Sequence, residues 1–354
     1  MRILGLPSIL LLLFGLSTLV LASVAPDLVN RHLIFGLLGA MVFLIVARIN
    51  PVWLKKWAIA GYILSVVLLV LVLLISTQTR QTARWIDVLG LVTIQPSQLA
   101  SVLSGWWFVQ LCFRIKTKAL KNTLILISVA LLPAGLIFIE PDLGSTVAFL
   151  LPLLAVLYLT GLPKKQIVVL TILAGLLVAI GWQFALKPYQ KERLMVFISP
   201  NTGLSKPHYN AHQALLAIGS GQIWGRGPGQ GIQSQYQFLP EKHTDFIFAA
   251  YSEEYGLVGC FFLLALYATL LIYLFQLARS DQNSVYGLWF GLLFASLLVQ
   301  TSINIGANLG LLPITGIPLP LFSSGGTALL GWSLAFGIAQ NRIWHSRVRP
   351  FHID

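Results

Sequence analysis

The sequence predicts an all-α membrane protein with about ten transmembrane helices. Its 354 residues are 57% hydrophobic and only 10% charged, and the mean hydropathy of +0.83 lies far outside the range of soluble globular domains. A transmembrane helix needs about 20 predominantly apolar residues, and ten such runs occur along the chain, which we interpret as one membrane domain over residues 1–354. The runs lie near residues 8–25, 31–49, 57–76, 96–113, 122–139, 143–160, 166–186, 246–275, 285–305 and 325–344.

Lysine and arginine residues indicate the orientation of these helices, because they are retained on the cytoplasmic side of a membrane. If the N-terminus lies inside, 14 of the 23 fall in cytoplasmic segments and only Arg31, Arg80 and Arg84 fall in short outer segments. The other six lie in one long outer loop, approximately residues 187–245, between the seventh and eighth helices. We therefore expect both termini to be cytoplasmic. The inner cations account for the net charge of +12, so a nucleic acid is not an expected partner.

Acidic residues have the opposite distribution along the chain. Of the eleven, only Asp281 and Asp354 fall on the predicted inner side. Acids are costly in hydrocarbon unless they are paired or hydrated, so a group of them at one depth indicates a functional site. The alternative, that acids simply occupy outer loops, applies well to Asp27 and Asp87.

Two outer segments have an unusual composition. The sequence GSGQIWGRGPGQG at 219–231 has six glycines in thirteen residues, but it lacks the lysine and the preceding strand of a phosphate-binding loop. We interpret it as a place where the backbone bends, and no nucleotide cofactor is expected. The prolines in LGLLPITGIPLPLFSSGG, residues 309–326, exclude a regular helix. Irregular backbone at membrane depth must line a cavity or be buried in protein, so we predict a re-entrant or surface segment at approximately 309–324.

Four segments of the chain have distinctive sequences, namely residues 84–100, 140–145, 217–249 and 304–326. In this order they resemble the SEDS family, the shape, elongation, division and sporulation proteins. The resemblance implies ten helices and the polymerisation of peptidoglycan glycan strands from lipid II at the outer face of the bacterial cytoplasmic membrane. It also implies a class B penicillin-binding protein (a transpeptidase) as partner and membrane lipids around the chain. The sequences IQSQ, FLPEKHTDF and TGIPLP are closer to those of the RodA-like elongation branch than to those of the FtsW-like division branch.

The resemblance implies that Asp245 is the catalytic general base. Inverting glycosyl transfer needs a carboxylate to take the proton from the attacking hydroxyl, while cations stabilise the departing diphosphate. Asp245 occupies the position of the essential aspartate in the family's HTDF motif. The alternative is that Thr244 or Asp245 only caps the eighth helix, and the two roles are compatible.

Candidate substrate-binding residues surround this aspartate in the family pattern. Arg84 and Arg193 match family positions, and an arginine fork suits phosphate oxygens, although both could instead be interface anchors. Lys242 and His243 adjoin the base, where His243 could bind substrate, orient Asp245 or be structural. The remaining candidates are Gln95 and Ser97, which are the residues that the family has at these two positions.

Glu140 and Asp142 form a second acidic group in the motif EPDLGS. In the family this motif lies at the central cavity, so we expect the pair to contact either the glycan or a divalent cation, Mg²⁺ or Mn²⁺. The sequence shows no closed set of metal ligands. A turn with Pro141 at the first helical position and Asp142 as a cap would need no function at all.

One departure from the family pattern leaves alternatives open. Gln98 and Ser101 replace a usual Glu and Lys on one helix face, and loss of both together avoids a stranded charge in the membrane. We interpret this as a tolerated paired change in an active enzyme. The alternatives are a flippase or transporter of lipid II, or a non-catalytic scaffold of the wall-synthesis complex.

Overall fold

The computed structural model describes residues 5–75, 84–88, 92–115, 119–170, 187–198 and 206–348, together with residues 172 and 181. Over these ranges the chain is predominantly helical, which confirms the predicted all-α class. The helices are α1 (Leu6–Val24), α2 (Val29–Arg48), α3 (Pro51–Lys56), α4 (Ala58–Ile75), α5 (Pro96–Arg114), α6 (Leu120–Ile139), α7 (Leu143–Leu159), α8 (Pro188–Ile198), α9 (Lys206–Ser220), α10 (Ile232–Gln235), α11 (Ile247–Ser280), α12 (Val285–Asn308) and α13 (Gly326–Val348).

Six helices in the described part of the chain are long and apolar enough to cross a membrane, and all six coincide with predicted spans. Among the other predicted spans, α7 is a shorter apolar helix, and α5 and α13 coincide with residues 96–113 and 325–344. The predicted seventh span, 166–186, falls mostly outside the described residues. The count of ten stays a prediction. The six are Leu6–Val24, Pro26–Arg48, Ala58–Ile75, Leu120–Ile139, Ile247–Ser280 and Val285–Asn308.

The chain divides into two compact units. The first unit comprises Met1–Ile34, Leu176–Tyr273 and Leu297–Gly325. The second comprises Phe35–Gly175, Leu274–Ser296 and Gly326–Asp354. Each unit is therefore assembled from three separate stretches of sequence.

The second unit also contains a small hairpin that the hydropathy pattern did not predict. Strands β1 (Ile86–Val88) and β2 (Val92–Ile94) pair antiparallel, with Ile86 opposite Ile94. The hairpin directly precedes α5, and it lies within the segment 84–100 that resembles the SEDS family.

The predicted outer loop contains helices of its own in the first unit, namely α8, α9 and α10. After α10 a series of turns leads into α11, so that residues 241–245 lie immediately before this long helix. The segment 309–325 contains no helix, as its prolines predict.

Helix α11 is broken at Gly256, whose φ of 63° and ψ of −163° are far from helical values. A break leaves carbonyl and N–H groups without helical partners, and such groups must find other partners away from water. The glycine-rich segment 221–231 supplies them. Four backbone hydrogen bonds join the two segments: Arg226 N to Glu253 O (3.0 Å), Gly227 N to Glu254 O (2.9 Å), Leu257 N to Gln222 O (2.9 Å) and Val258 N to Ile223 O (3.1 Å).

Candidate active site

In the first unit, hydrogen bonds to three consecutive backbone carbonyls hold the segment from His243 to Asp245 in place. Ser324 N donates to the His243 carbonyl over 2.9 Å, and Ser323 Oγ donates to the Thr244 carbonyl over 2.6 Å. The carbonyl of Asp245 accepts from two side-chain amides of α12, Asn304 Nδ2 at 3.0 Å and Asn308 Nδ2 at 2.9 Å. The backbone around the candidate base is therefore held by groups far away in sequence.

The irregular segment 309–325 forms a wall beside the Asp245 carboxylate. A Cβ built on Gly316 would lie 3.6 Å from Asp245 Oδ2 and 3.7 Å from Arg193 Nη1, so both charged groups border the same point. Gly316 has a φ of +78°, which L side chains rarely adopt. Arg193 Nη1 also donates to the Ile314 carbonyl over 3.4 Å. The structure thus brings together the predicted base and one predicted diphosphate ligand.

Asn304 connects this wall to the segment that carries the base. Its amide donates both to the carbonyl of Asp245 and to that of Ile317, over 3.0 and 2.9 Å. Asn304 and Asn308 are 2% and 1% exposed. The sequence predictions missed both residues, although a polar amide in an apolar span is itself a signal of a buried hydrogen-bonded site.

Lys242 and His243 lie next to the base in sequence but have different surroundings. Lys242 Nζ donates to the Ser234 carbonyl. Burial lowers the pKa of Lys242, and the neighbouring Glu254 and Glu253 carboxylates oppose this shift. His243 Nε2 lies 3.9 Å from Glu241 Oε2, an ion pair when the imidazole is protonated. Lys242 is therefore anchored to the loop, and its predicted contact with substrate stays a prediction, as does that of His243.

Glu253 and Glu254 are buried acids that the sequence predictions did not place in the site. The Glu253 carboxylate accepts from Gln233 N, Ser234 N and Ser234 Oγ over 2.8, 3.0 and 2.8 Å, which anchors the start of α10. Glu254 Oε1 accepts from Gly229 N over 2.9 Å and from Ser23 Oγ. Both carboxylates therefore bind the loop that precedes the base. Their signal in the sequence was two adjacent acids inside an apolar run.

A second polar cluster lies in the second unit and centres on Asp142. Arg84 Nη1 lies 3.4 Å from Asp142 Oδ2, and Arg84 also donates to the backbone carbonyls of Glu140 and Pro141. Gln95 Nε2 donates to Asp142 Oδ2 over 3.3 Å. Asp142 caps α7 by accepting from Ser145 N at 3.0 Å and Ser145 Oγ at 2.8 Å. The structure thus brings together Arg84, Gln95 and Asp142, and the predicted capping role of Asp142 is confirmed.

This donor set does not fit a divalent cation at Asp142. Both carboxylate oxygens already face hydrogen-bond donors, one of which is a guanidinium. Within the described ranges there is no group of three or more His, Cys, Asp or Glu residues that could hold a metal ion.

Within the described part of the chain, the predicted site residues Glu140 and Ser97 have buried side-chain oxygens without a hydrogen-bond partner. Glu140 is 0% exposed, and among the described residues neither of its carboxylate oxygens has a hydrogen-bond partner. Burial raises the pKa of Glu140 to about 8, with the Asp142 charge adding to the shift and Arg84 opposing it. Ser97 Oγ is also buried, and it too has no partner within the described ranges.

Comparison with known proteins decides the family. A family model described as a cell cycle protein, FTSW_RODA_SPOVE, matches residues 4–347. The chain belongs to this family. It is thus a SEDS protein, as the four motif segments indicate.

Two curated relatives show how similar this FtsW/RodA/SpoVE family member is in sequence to other members of the family. It is 36% identical to the peptidoglycan glycosyltransferase MrdB of Escherichia coli (strain K12) over 349 residues, which cover 97% of this chain and 94% of the relative. It is 33% identical to the probable peptidoglycan glycosyltransferase FtsW of Coxiella burnetii over 327 residues, covering 87% of this chain and 84% of the relative.

Solved structures of the family share the fold over nearly the whole chain. One, which describes structural coordination of polymerization and crosslinking by a peptidoglycan synthase complex, has a TM-score of 0.82 at 28% identity and covers 96% of this chain and 97% of its own. The crystal structure of the rod shape determining protein RodA of Thermus thermophilus has a TM-score of 0.72 at 25% identity, covering 98% and 97%.

Gln98 and Ser101 of α5, which stand where the family usually has Glu and Lys, are both uncharged. Ser101 Oγ donates to the Ser97 carbonyl over 2.7 Å, one turn earlier in the same helix. The Gln98 carbonyl lies 3.1 Å from the position of a Cβ on Gly331 of α13, so this face of α5 packs closely against α13. A stranded charge would be costly here, which agrees with a paired replacement by neutral residues.

Proposed function

We propose that this chain is a peptidoglycan glycosyltransferase that polymerises glycan strands from lipid II and serves cell elongation. The family and the relatives named above support the reaction class, because their names describe glycosyltransferases and the match extends over almost the whole chain. The similarity to MrdB and to RodA supports the elongation branch. The same names favour this reaction over the transport of lipid II or a purely structural role.

The single observation that carries the proposal is the position of Asp245 and Arg193 around Gly316. In this reaction a sugar hydroxyl of the acceptor attacks the anomeric carbon of the donor. The bond between that carbon and the phosphate oxygen breaks, and the diphosphate leaves with the electron pair. Asp245 takes the hydroxyl proton, and the Arg193 guanidinium stabilises the negative charge of the leaving diphosphate.

The bonds around the Asp245 backbone suit this role. A general base must lie within hydrogen-bond reach of the proton that it removes, and a small displacement lowers the rate strongly. The carbonyls of three consecutive residues are fixed by Ser324, Ser323 and the two asparagines, while the Asp245 carboxylate is half-buried beside the wall. The carboxylate is therefore placed by the backbone and remains partly accessible.

The proposal includes the outer face of the cytoplasmic membrane as the place of reaction. The predicted cytoplasmic segments contain 14 of the 23 lysine and arginine residues, which supports an outer position for residues 187–245. A class B penicillin-binding protein is the proposed partner, because a similar structure comes from a complex that couples polymerization and crosslinking. In such a complex the glycan strand would pass to the transpeptidase as it grows.

The test is glycan polymerisation from labelled lipid II by purified protein, alone and with a co-expressed class B penicillin-binding protein. We expect Asp245→Asn to abolish polymer while Asp27→Asn, a change at an exposed acid of the same unit, retains it. Polymer formed equally by Asp245→Asn would remove Asp245 as the base. Lipid II translocation in vesicles without any polymer from the native protein would overturn the proposed reaction.

A further inference from the structure

Three cations lie together in the second unit, and none of them is among the residues that we assign to catalysis. Lys55 Nζ lies 5.4 Å and Arg342 Cζ 5.8 Å from the centroid of the same ring, that of Tyr286, which is 3% exposed. Arg114 is close enough to Lys55 to shift its pKa. We call Lys55, Arg114 and Arg342 the basic cluster.

The ammonium of Lys55 forms no ion pair within the described part of the protein. The nearby acid Asp281 uses both carboxylate oxygens on Arg342, at 2.7 and 2.9 Å. The half-buried ammonium of Lys55 rests over a ring and has no hydrogen-bond acceptor among the described residues. Burial lowers the pKa of Lys55, the charges of Arg342 and Arg114 lower it further, and Asp281 opposes them. An ammonium in such surroundings favours an added anion.

The position of the basic cluster in the fold indicates which anion. Lys55 lies between the apolar helices Pro26–Arg48 and Ala58–Ile75, Arg114 is the last residue of α5, and Asp281 directly follows α11. The cluster is therefore at helix ends, the level at which a bilayer has its headgroups.

Two exposed tryptophans flank Lys55 in sequence, at the same end of the apolar helices. Trp53 and Trp57 stack with centroids 6.4 Å apart and are 54% and 58% exposed, and Lys56 Nζ lies 5.6 Å from the Trp53 ring. Exposed indoles at the ends of apolar helices are typical of residues at a membrane interface. Further along α4, Ile59 and Ile63 are 48% and 58% exposed, which provides an apolar surface for acyl chains.

We propose that the basic cluster binds the phosphate group of an anionic phospholipid. The phosphate oxygens accept hydrogen bonds from Lys55 and face Arg114 and Arg342, while the acyl chains lie along the exposed face of α4. An acidic segment of a partner protein would satisfy the same cations, but the headgroup level of the cluster and the adjoining apolar face of α4 favour a phospholipid. Basic pockets between transmembrane helices are a known way in which proteins recognise anionic headgroups.

The experiment uses the full-length protein, delipidated in a neutral detergent, with phosphatidylglycerol, phosphatidylcholine of the same acyl chains, or glycerol 3-phosphate as probes. Thermal unfolding gives the shift in Tm, and native mass spectrometry gives the affinity for bound lipid. Lys55→Gln is the test variant. Lys56→Gln is the matched control, because it removes the same charge from the adjacent residue, which lies over Trp53 instead of Tyr286.

We expect phosphatidylglycerol, and neither other probe, to raise the Tm of the native protein and of Lys56→Gln. Lys55→Gln should bind this lipid about tenfold more weakly, since a charged hydrogen bond is lost. If Lys55→Gln does not fold, Arg114→Gln, a change at an exposed side chain, should show the same loss. Equal binding by the test and control variants, or an equal effect of phosphatidylcholine or glycerol 3-phosphate, would overturn the proposal.

Discussion

Asn308 donates its side-chain amide to the backbone carbonyl of Asp245 over 2.9 Å, although the two residues are 63 positions apart in sequence. The same side chain accepts from Ala249 N over 3.2 Å, near the start of α11. One asparagine of α12 thus holds both the residue that carries the candidate base and the helix that follows it.

Asn308→Asp tests whether this bond matters for catalysis. Aspartate has nearly the same shape and retains an oxygen for Ala249 N, but it cannot donate to the Asp245 carbonyl when ionised. We expect the rate of glycan polymerisation to fall roughly ten- to a hundredfold with little change in KM, because misplacement of a base lowers turnover. The control is Asn341→Asp, since Asn341 is equally buried and also donates to backbone carbonyls, those of Val46 and Ala47. A similar loss of turnover per folded molecule in both variants would indicate a general effect of destabilisation.

Gly316→Ala tests the space between the base and the guanidinium. The new methyl group would lie 3.6 Å from Asp245 Oδ2 and 3.7 Å from Arg193 Nη1, where we expect substrate atoms to pass. We therefore expect a large loss of polymerisation, together with about 1 kcal/mol of destabilisation from the positive φ. Gly310→Ala is the control, because its φ of +69° carries a similar strain while its Cβ would meet only Leu215 at 3.7 Å. Comparable losses of activity in the two variants would show that strain, and not the occupied space, is responsible.

Glu140→Gln should change how stability depends on pH. The pKa of Glu140 rises from the ordinary 4.5 to about 8, so between these values the folded state binds more protons than the unfolded state. The free energy of unfolding should therefore decrease as pH rises from about 5 to 8, and Gln should remove this contribution and be the more stable at pH 8 and above. Thermal unfolding at several pH values checks this, with Glu192→Gln at an exposed position as the control. If the free energy of unfolding of Glu140→Gln decreases with pH as steeply as that of the native protein, Glu140 is not the group responsible.

Gly225→Ala tests the junction between the glycine-rich segment and the break in α11. A Cβ at Gly225 would lie only 2.1 Å from the Glu254 carbonyl oxygen, and its φ is +81°. We expect a loss of at least about 2 kcal/mol in stability and low yield, because backbone would have to move. Gly229→Ala is the control, since its φ is +73° and a Cβ there would meet nothing within 4 Å. Unfolding temperatures that fall equally in both variants would show that the close contact has no cost of its own.

Much of the fold could be predicted because membrane insertion acts on local composition. Each span requires about 20 apolar residues, so α1, α2 and α4 could be located from hydropathy alone. The hairpin before α5 could not, because two strands of three residues each carry too short a pattern to be distinguished from a loop. The helices within 187–245 were also missed, since the polar composition of this region indicates only that it lies outside the bilayer.

The sequence by itself determined the membrane class, the family and the candidate base, because apolar run length and the HTDF segment are local features. Only the tertiary structure decided that Asn304 and Asn308 hold the carbonyl of Asp245, that Arg193 and the Asp245 carboxylate both border Gly316, and that residues 222–227 close the break at Gly256. These contacts join residues that are far apart in the chain. They satisfy polar groups that cannot be left unpaired in an apolar environment, and which partner satisfies each group depends on packing and not on local pattern.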